Sequence, residues 1–152
     1  MLYNYRLQAY FCCIIIFLIF KVLTRRKTME QKAPDLVIIL LTGKENPKRL
    51  PSAFFLASTA AAEDMNVVVY FTGPATELLK KGVADSIYPM EGGQPLSYFI
   101  KLALDNGVQM VACKQSLDLN GMTEGDLAYS FPVLTPTQAL PTLGMAGRVL
   151  TW

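Results

Sequence analysis

The sequence predicts an α/β domain, a three-layer sandwich around a mostly parallel central sheet, and three observations carry that prediction. Three short runs at residues 35–41, 67–71 and 109–113 are dominated by aliphatic and β-branched residues, as strands buried on both faces are. Between them lie stretches in which apolar residues recur at helical spacing. Each run also closes on a polar or turn-forming group: Thr42-Gly43, Thr72-Gly73-Pro74 and, after Cys113, Lys114-Gln115-Ser116.

The 152 residues leave room for one compact domain and one appendage, and the charge divides accordingly. Residues 1–32 carry six bases and one acid, net +5, whereas residues 33–152 carry eight bases and eleven acids, net −3. Within the first part, residues 9–20 are uninterrupted apolar sequence. With Lys21 snorkelling, the stretch runs between Leu7 and Leu23, near the lower limit of about 17 residues for a spanning helix. The flank Arg25-Arg26-Lys27 then places the downstream domain in the cytoplasm. The competing reading starts the working protein at Met29, just before the polar lead-in Glu30-Gln31-Lys32. Residues 1–32 are thus expected to be a membrane anchor or a start-site artefact, and residues 33–152 the α/β domain.

In the domain, residues 35–41 form the first strand and residues 51–64 a helix, since Ala53, Phe54, Ala57, Ala60 and Ala61 recur at helical spacing. Val67 to Phe71 is the second strand. Residues 76–81, followed by Gly82, read as a short helix with basic residues in its last turn and a glycine stop. Residues 95–106 read as another helix, with Leu96, Phe99, Ile100, Ala103 and Leu104 on one face and Gly107 ending it. Residues 109–113 are the third strand. Gly125-Asp126-Leu127 suggests a turn of helix, and residues 133–134 and 148–152 are weaker strands.

The mildly acidic domain argues against nucleic-acid binding, which needs clustered Lys and Arg to neutralise phosphates. The chain has no histidine, which removes Cys-His and Ser-His nucleophile pairs and histidine-bound metals. Asp118, Glu124 and Asp126 follow no calcium-loop order and read as solvated carboxylates, so no metal or cofactor is expected. Three cysteines, Cys12, Cys13 and Cys113, make no disulfide framework, and a reducing setting follows.

Cys113 is the only thiol of the domain, at the end of an apolar strand. Parallel strands would bring Thr42, Gly43, Thr72, Gly73 and Cys113 to one carboxyl edge, where ligands of open α/β sheets bind. A following helix would aim backbone N–H groups at the sulfur, and the neighbouring Lys114 would further lower its pKa from about 8.5. Gln115 and Ser116 can donate hydrogen bonds to a sulfur anion. The alternative is that Cys113 fills an apolar gap, since cysteine is among the most buried residue types.

The stretch Ala112-Cys113-Lys114-Gln115-Ser116-Leu117-Asp118-Leu119-Asn120-Gly121-Met122, with Glu124-Gly125-Asp126-Leu127 beyond it, is similar to the cysteine motif of the DsrE/DsrF-like family. Tyr70-Phe71-Thr72-Gly73 and Leu78-Leu79-Lys80-Lys81-Gly82 resemble that family's second strand and following helix. The resemblance covers residues 35–152. It implies a DsrE-like cytoplasmic α/β domain forming trimers or hexamers, in which Cys113 accepts sulfane sulfur as a persulfide and exchanges it with donor and acceptor proteins. Unlike some relatives, the loop after Cys113 holds no second thiol, so transfer between two cysteines of one domain is not open to it.

Two functions follow as expectations. The first is a sulfurtransferase-like carrier working through a Cys113 persulfide, tethered to a membrane where residues 7–23 serve as an anchor, which needs a thiol titrating below its ordinary value and reachable from solvent. The second is a non-catalytic homo-oligomeric module holding a small ligand or partner at the same edge, with Met145 and Trp152 packing between subunits. An unperturbed or inaccessible thiol favours that second reading.

Overall fold

The computed structural model describes residues 33–152, and the spanning-helix reading of residues 7–23 lies outside them. The domain reads, in chain order, β1 (Leu36–Leu40), α1 (Leu50–Ala62), β2 (Val67–Phe71), α2 (Val83–Ser86), α3 (Leu96–Asp105), β3 (Gln109–Cys113), α4 (Lys114–Leu119), β4 (Val133–Leu134), α5 (Pro136–Gly144) and β5 (Arg148–Thr151). Three 3-10 helices, Pro47–Arg49, Gly73–Leu79 and Glu124–Asp126, complete it. The five strands form one sheet in the order β4-β3-β2-β1-β5, and every pairing is parallel.

Strand periodicity divides the core between the two faces of the sheet. Leu36, Ile38 and Leu40 of β1, Val67, Val69 and Phe71 of β2, and Met110 and Ala112 of β3 share the larger cluster with Phe54 of α1 and Leu96 and Ile100 of α3. Phe54 stacks on Phe71 with ring centroids 6.0 Å apart. Burying side chains of this size stabilises the fold by about 1.5–3 kcal/mol each. The other face carries a smaller cluster of Tyr70, Cys113 and Ala139, with Ile39, Val111, Leu134 and Leu143 packed against it. Ala139 and Leu143 belong to α5, which thereby supplies cover on the thiol side.

The strands and the helices around residues 51–64 and 95–106 fall where their patterns place them, and both weak strands form. The helix expected at residues 76–81 does not. The chain turns at once after β2 into the 3-10 helix Gly73–Leu79, because Gly73 adopts a left-handed φ of 56°, Pro74 fixes the next residue and the Thr76 hydroxyl donates back to the Gly73 carbonyl at 2.8 Å. Lys80 and Lys81 leave the helix to pair with another segment. Lys80 bridges Leu127 in antiparallel fashion, the Lys81 amide donates to the Asp126 carbonyl at 3.0 Å, and the Ala128 amide donates to the Leu79 carbonyl at 2.8 Å. Gly82 stops nothing, and instead precedes α2 with φ of 78°.

No element is predicted from the sequence for the segment of helix α5, in which Pro136, Pro141 and Gly144 obscure any helical pattern. Its start is nonetheless encoded by a capping box, in which Thr135 and Gln138 satisfy each other's backbone amides.

Candidate functional site

The carboxyl ends of β1, β2 and β3 lie side by side, as parallel pairing dictates. At the β1 end, the Leu41 and Thr42 amides both donate to the Trp152 carbonyl, at 2.8 and 3.1 Å, which carries the β1–β5 pairing one residue past Thr151. Thr42 and Gly43 are buried there. A β-carbon on Gly43 would lie 2.9 Å from Pro74 Cβ and 3.0 Å from its carbonyl oxygen, so only glycine allows the first and second strand-end loops to meet this closely. Lys44 reinforces the contact by pairing with Glu77 of the Gly73–Leu79 helix at 2.6 Å.

Thr72 and Gly73 meet Ser116 at the junction of β2 and β3. The Gly73 amide donates to Ser116 Oγ at 2.8 Å, and the Thr72 and Ser116 hydroxyls lie 3.1 Å apart. Cys113 is the residue on which β3 becomes α4, with extended backbone (φ −76°, ψ 120°) at the N-cap. Strand alternation turns its side chain to the face that carries Tyr70, whose backbone is in register with Val111 two residues earlier.

Cys113 is 4 % exposed. The thiol presented to solvent that the carrier reading expects is therefore not what the single chain shows: the second-face cluster with Tyr70 and Ala139 encloses it. Yet its surroundings are not hydrocarbon alone. Burial pushes the thiol pKa up, but the Ser116 hydroxyl, the Tyr70 phenol, the Ser116 backbone amide and the Thr72 hydroxyl together outweigh burial, and the net direction is downward. At the α4 N-terminus the sulfur takes no strict side-chain capping bond. The donors act on the anion, and such contacts tighten once charge develops.

Tyr70 was not singled out from the sequence. Burial first, and then its contact with Cys113, raise the phenol pKa well above the ordinary value, which keeps it protonated and able to donate. The available signal was a single hydroxyl-bearing aromatic in the otherwise apolar run Val67–Phe71, on the thiol's face of the sheet.

Of the three residues expected to steady a sulfur anion, the geometry brings one to the thiol. Ser116 is buried beside it. Gln115 is exposed. Lys114 pairs with Asp118 one helical turn on, with 40 % of its side chain exposed, and is not among the groups that lower the thiol pKa. The cation expected from chain adjacency is thus engaged elsewhere, because the helix turn places Lys114 over residue 118. Asp126 closes its own local turn on the Thr123 amide and hydroxyl, at 2.7 and 2.8 Å.

An all-parallel α/β sheet with a thiol at a strand end, held among neutral hydrogen-bond donors, defines the class: a cysteine site at the carboxyl edge of an open sheet. The chain belongs to the DsrE/DsrF-like family, which it matches over residues 35–152, and that family is linked to sulfur relay. Among solved structures it is similar to the ychN protein from E. coli, at 17 % identity and a TM-score of 0.65, over 78 % of this chain and 99 % of that one. It is also similar to a protein of unknown function from Methanobacterium thermoautotrophicum (17 % identity, TM-score 0.53, 77 % of this chain and 96 % of that one). A third likeness is to a conserved protein of unknown function from Bacteroides thetaiotaomicron (14 % identity, TM-score 0.53, 78 % and 95 %). No curated protein matches the chain. Among the described residues, no helix is long and apolar enough to cross a membrane.

Proposed function

We propose that the protein is a sulfur carrier of the sulfurtransferase type, holding sulfane sulfur as a persulfide on Cys113. The observation that carries this reading is the donor set of Tyr70, Thr72 and Ser116 converging on a buried thiol and lowering its pKa despite burial. A cysteine that only filled an apolar gap would gain nothing from four hydrogen-bond donors. In the loading step the Cys113 thiolate attacks the outer sulfur of a donor persulfide. The new S–S bond forms as the donor's own S–S bond breaks, and the donor leaves as its thiolate. The outer sulfur keeps its proton, and no external oxidant or reductant enters. Unloading is the same exchange with an acceptor thiolate attacking the terminal sulfur. Tyr70 and Ser116 steady the anion in both directions.

Incubating the full chain with a persulfide donor should add about 32 Da per sulfur at Cys113, removable by reductant. Cys113→Ser should abolish the gain on the peptide that contains this position. Retention of the full gain in that variant rules the reading out.

The 4 % exposure of Cys113 favours a second reading, a non-catalytic module that binds a small ligand or partner. Leu140, Met145, Val149 and Leu150 are exposed apolar residues on and beside α5 and the edge strand β5, which supports homo-oligomer formation under either reading. A Cys113 that takes up no sulfur, in a protein sedimenting as an oligomer, would leave the module standing.

A further inference from the structure

Ser116 owes its position to a second set of polar groups on the far side of Gly73. Asn120 sits one helical turn beyond Ser116, and its backbone amide donates to the Ser116 carbonyl at 3.1 Å. The Asn120 side-chain amide spends both its protons on the 3-10 helix after β2, donating to the Gly73 carbonyl at 3.0 Å and to Thr76 Oγ1 at 2.7 Å. Thr76 is fully buried and donates its own proton to the same carbonyl at 2.8 Å. Gly73 therefore has its carbonyl clamped by two donors while its amide donates to Ser116 Oγ at 2.8 Å.

Gly73 adopts a left-handed φ of 56°, and glycine has more backbone freedom than any other residue. Fixing its carbonyl holds the Gly73–Pro74 peptide plane and so restrains the rotations about Gly73 φ and ψ by which the preceding peptide, which carries the Gly73 amide, could swing away from Ser116. A hydroxyl has one proton and two lone pairs. With one lone pair of Ser116 Oγ filled by the Gly73 amide, the directions left to the hydroxyl are Thr72 Oγ1, 3.1 Å away, and the Cys113 sulfur, so the Gly73 amide restricts where the Ser116 proton can turn.

We propose that Asn120, acting with Thr76 through the Gly73 peptide, is a positioning residue that sets the orientation of the Ser116 hydroxyl and thereby the ionisation of Cys113. The proposal rests on the reading of Cys113 as a reactive thiol, but its test does not depend on sulfur transfer.

The experiment is the pH dependence of Cys113 alkylation by iodoacetamide in the full chain, followed on the peptide that contains Cys113. Ser116→Ala should raise the titration midpoint by about one pH unit, the loss of one hydrogen bond to a charged group. Asn120→Ala and Thr76→Val should each raise it by roughly half as much, because they loosen that bond without deleting it. Thr76→Ser, which keeps the hydroxyl, should restore the wild-type midpoint. The double variant should shift no further than the larger single one, since both residues act through one carbonyl. Asn106→Ala is the control: Asn106 makes a like bond to the Leu102 carbonyl at 2.9 Å but stands at the far end of α3. An Asn120→Ala midpoint equal to wild type overturns the proposal, as does a shift that Thr76→Ser fails to avoid. If the midpoints move as expected but no sulfur loads, the positioning role stands and the carrier function falls.

Discussion

Replacing Tyr70 by Phe removes one hydroxyl and leaves the buried ring, so it isolates the phenol's effect on the thiol. Tyr70 and Cys113 perturb each other in opposite directions: the phenol pKa is raised and the thiol pKa lowered. A phenol that donates to a sulfur anion contributes to both shifts, behind burial for Tyr70 and behind Ser116 for Cys113. A hydrogen bond to a charged group is worth about 1.5–3 kcal/mol. At about 1.36 kcal/mol per unit, its loss would move the thiol midpoint up by about one to two pH units. Thr72 and Ser116 remain in Tyr70→Phe and take up part of the charge, which places the expectation near one unit. The assay is the alkylation rate of Cys113 against pH, with denaturant unfolding measured in parallel. Because the folded thiol pKa is depressed, its contribution to stability is present above the unfolded thiol value and lost as pH falls through the folded one. The raised phenol acts oppositely: its contribution is present below the ordinary phenol value, about 10, and lost as pH rises past it. Tyr70→Phe should weaken the first dependence and abolish the second. An alkylation midpoint identical to wild type would refute the assignment of Tyr70 as a donor to the sulfur.

Lys114→Met should leave the alkylation midpoint within about 0.3 units of wild type and cost no more than about 0.5 kcal/mol in urea unfolding, since the lysine serves an exposed pair with Asp118. A clear upward shift would return the lysine to the thiol's electrostatics. Thr135→Ala removes the capping box of α5 and should destabilise that helix by about 1 kcal/mol. If α5 limits access to Cys113, alkylation at fixed pH should accelerate about fivefold with no change in midpoint, as about 1 kcal/mol converts. An unchanged rate would mean that α5 does not control access.

What was legible in the sequence follows from which signals are local. Val67–Phe71 and Gln109–Cys113 could be bounded to the residue because buried parallel strands are short apolar runs closed by turn residues. Thr72, Gly73 and Cys113 could be brought to one edge because parallel pairing fixes which ends meet. The helix at residues 76–81 misled because its pattern is overridden by distant pairing, with Lys80 and Lys81 drawn to the segment around Leu127. Lys114 misled for a related reason: chain adjacency says nothing of side-chain direction at a strand-to-helix junction. Tyr70, Thr76 and Asn120 lie 43, 37 and 7 positions from Cys113 along the chain, and only the assembled sheet and the α4 face bring them to bear on it.

The burial of Cys113 and the ease of ionising it look opposed, and the two layers of the sheet reconcile them. The face that carries α1 and α3 holds the large cluster, in which Phe54, Phe71, Leu96 and Leu117 are wholly buried, and supplies the bulk of the packing. The thiol face is covered by α5, in which Ala139 is the one buried residue and two prolines remove backbone donors. A segment with so little buried apolar surface belongs to the low-stability end of a fold, where local opening costs far less than global unfolding. Under the proposed function, the route to Cys113 is movement of α5, while β2, β3 and the Ser116 network, anchored to the other face through Phe71, Ala112 and Leu117, would stay in place and keep the anion's donors aimed.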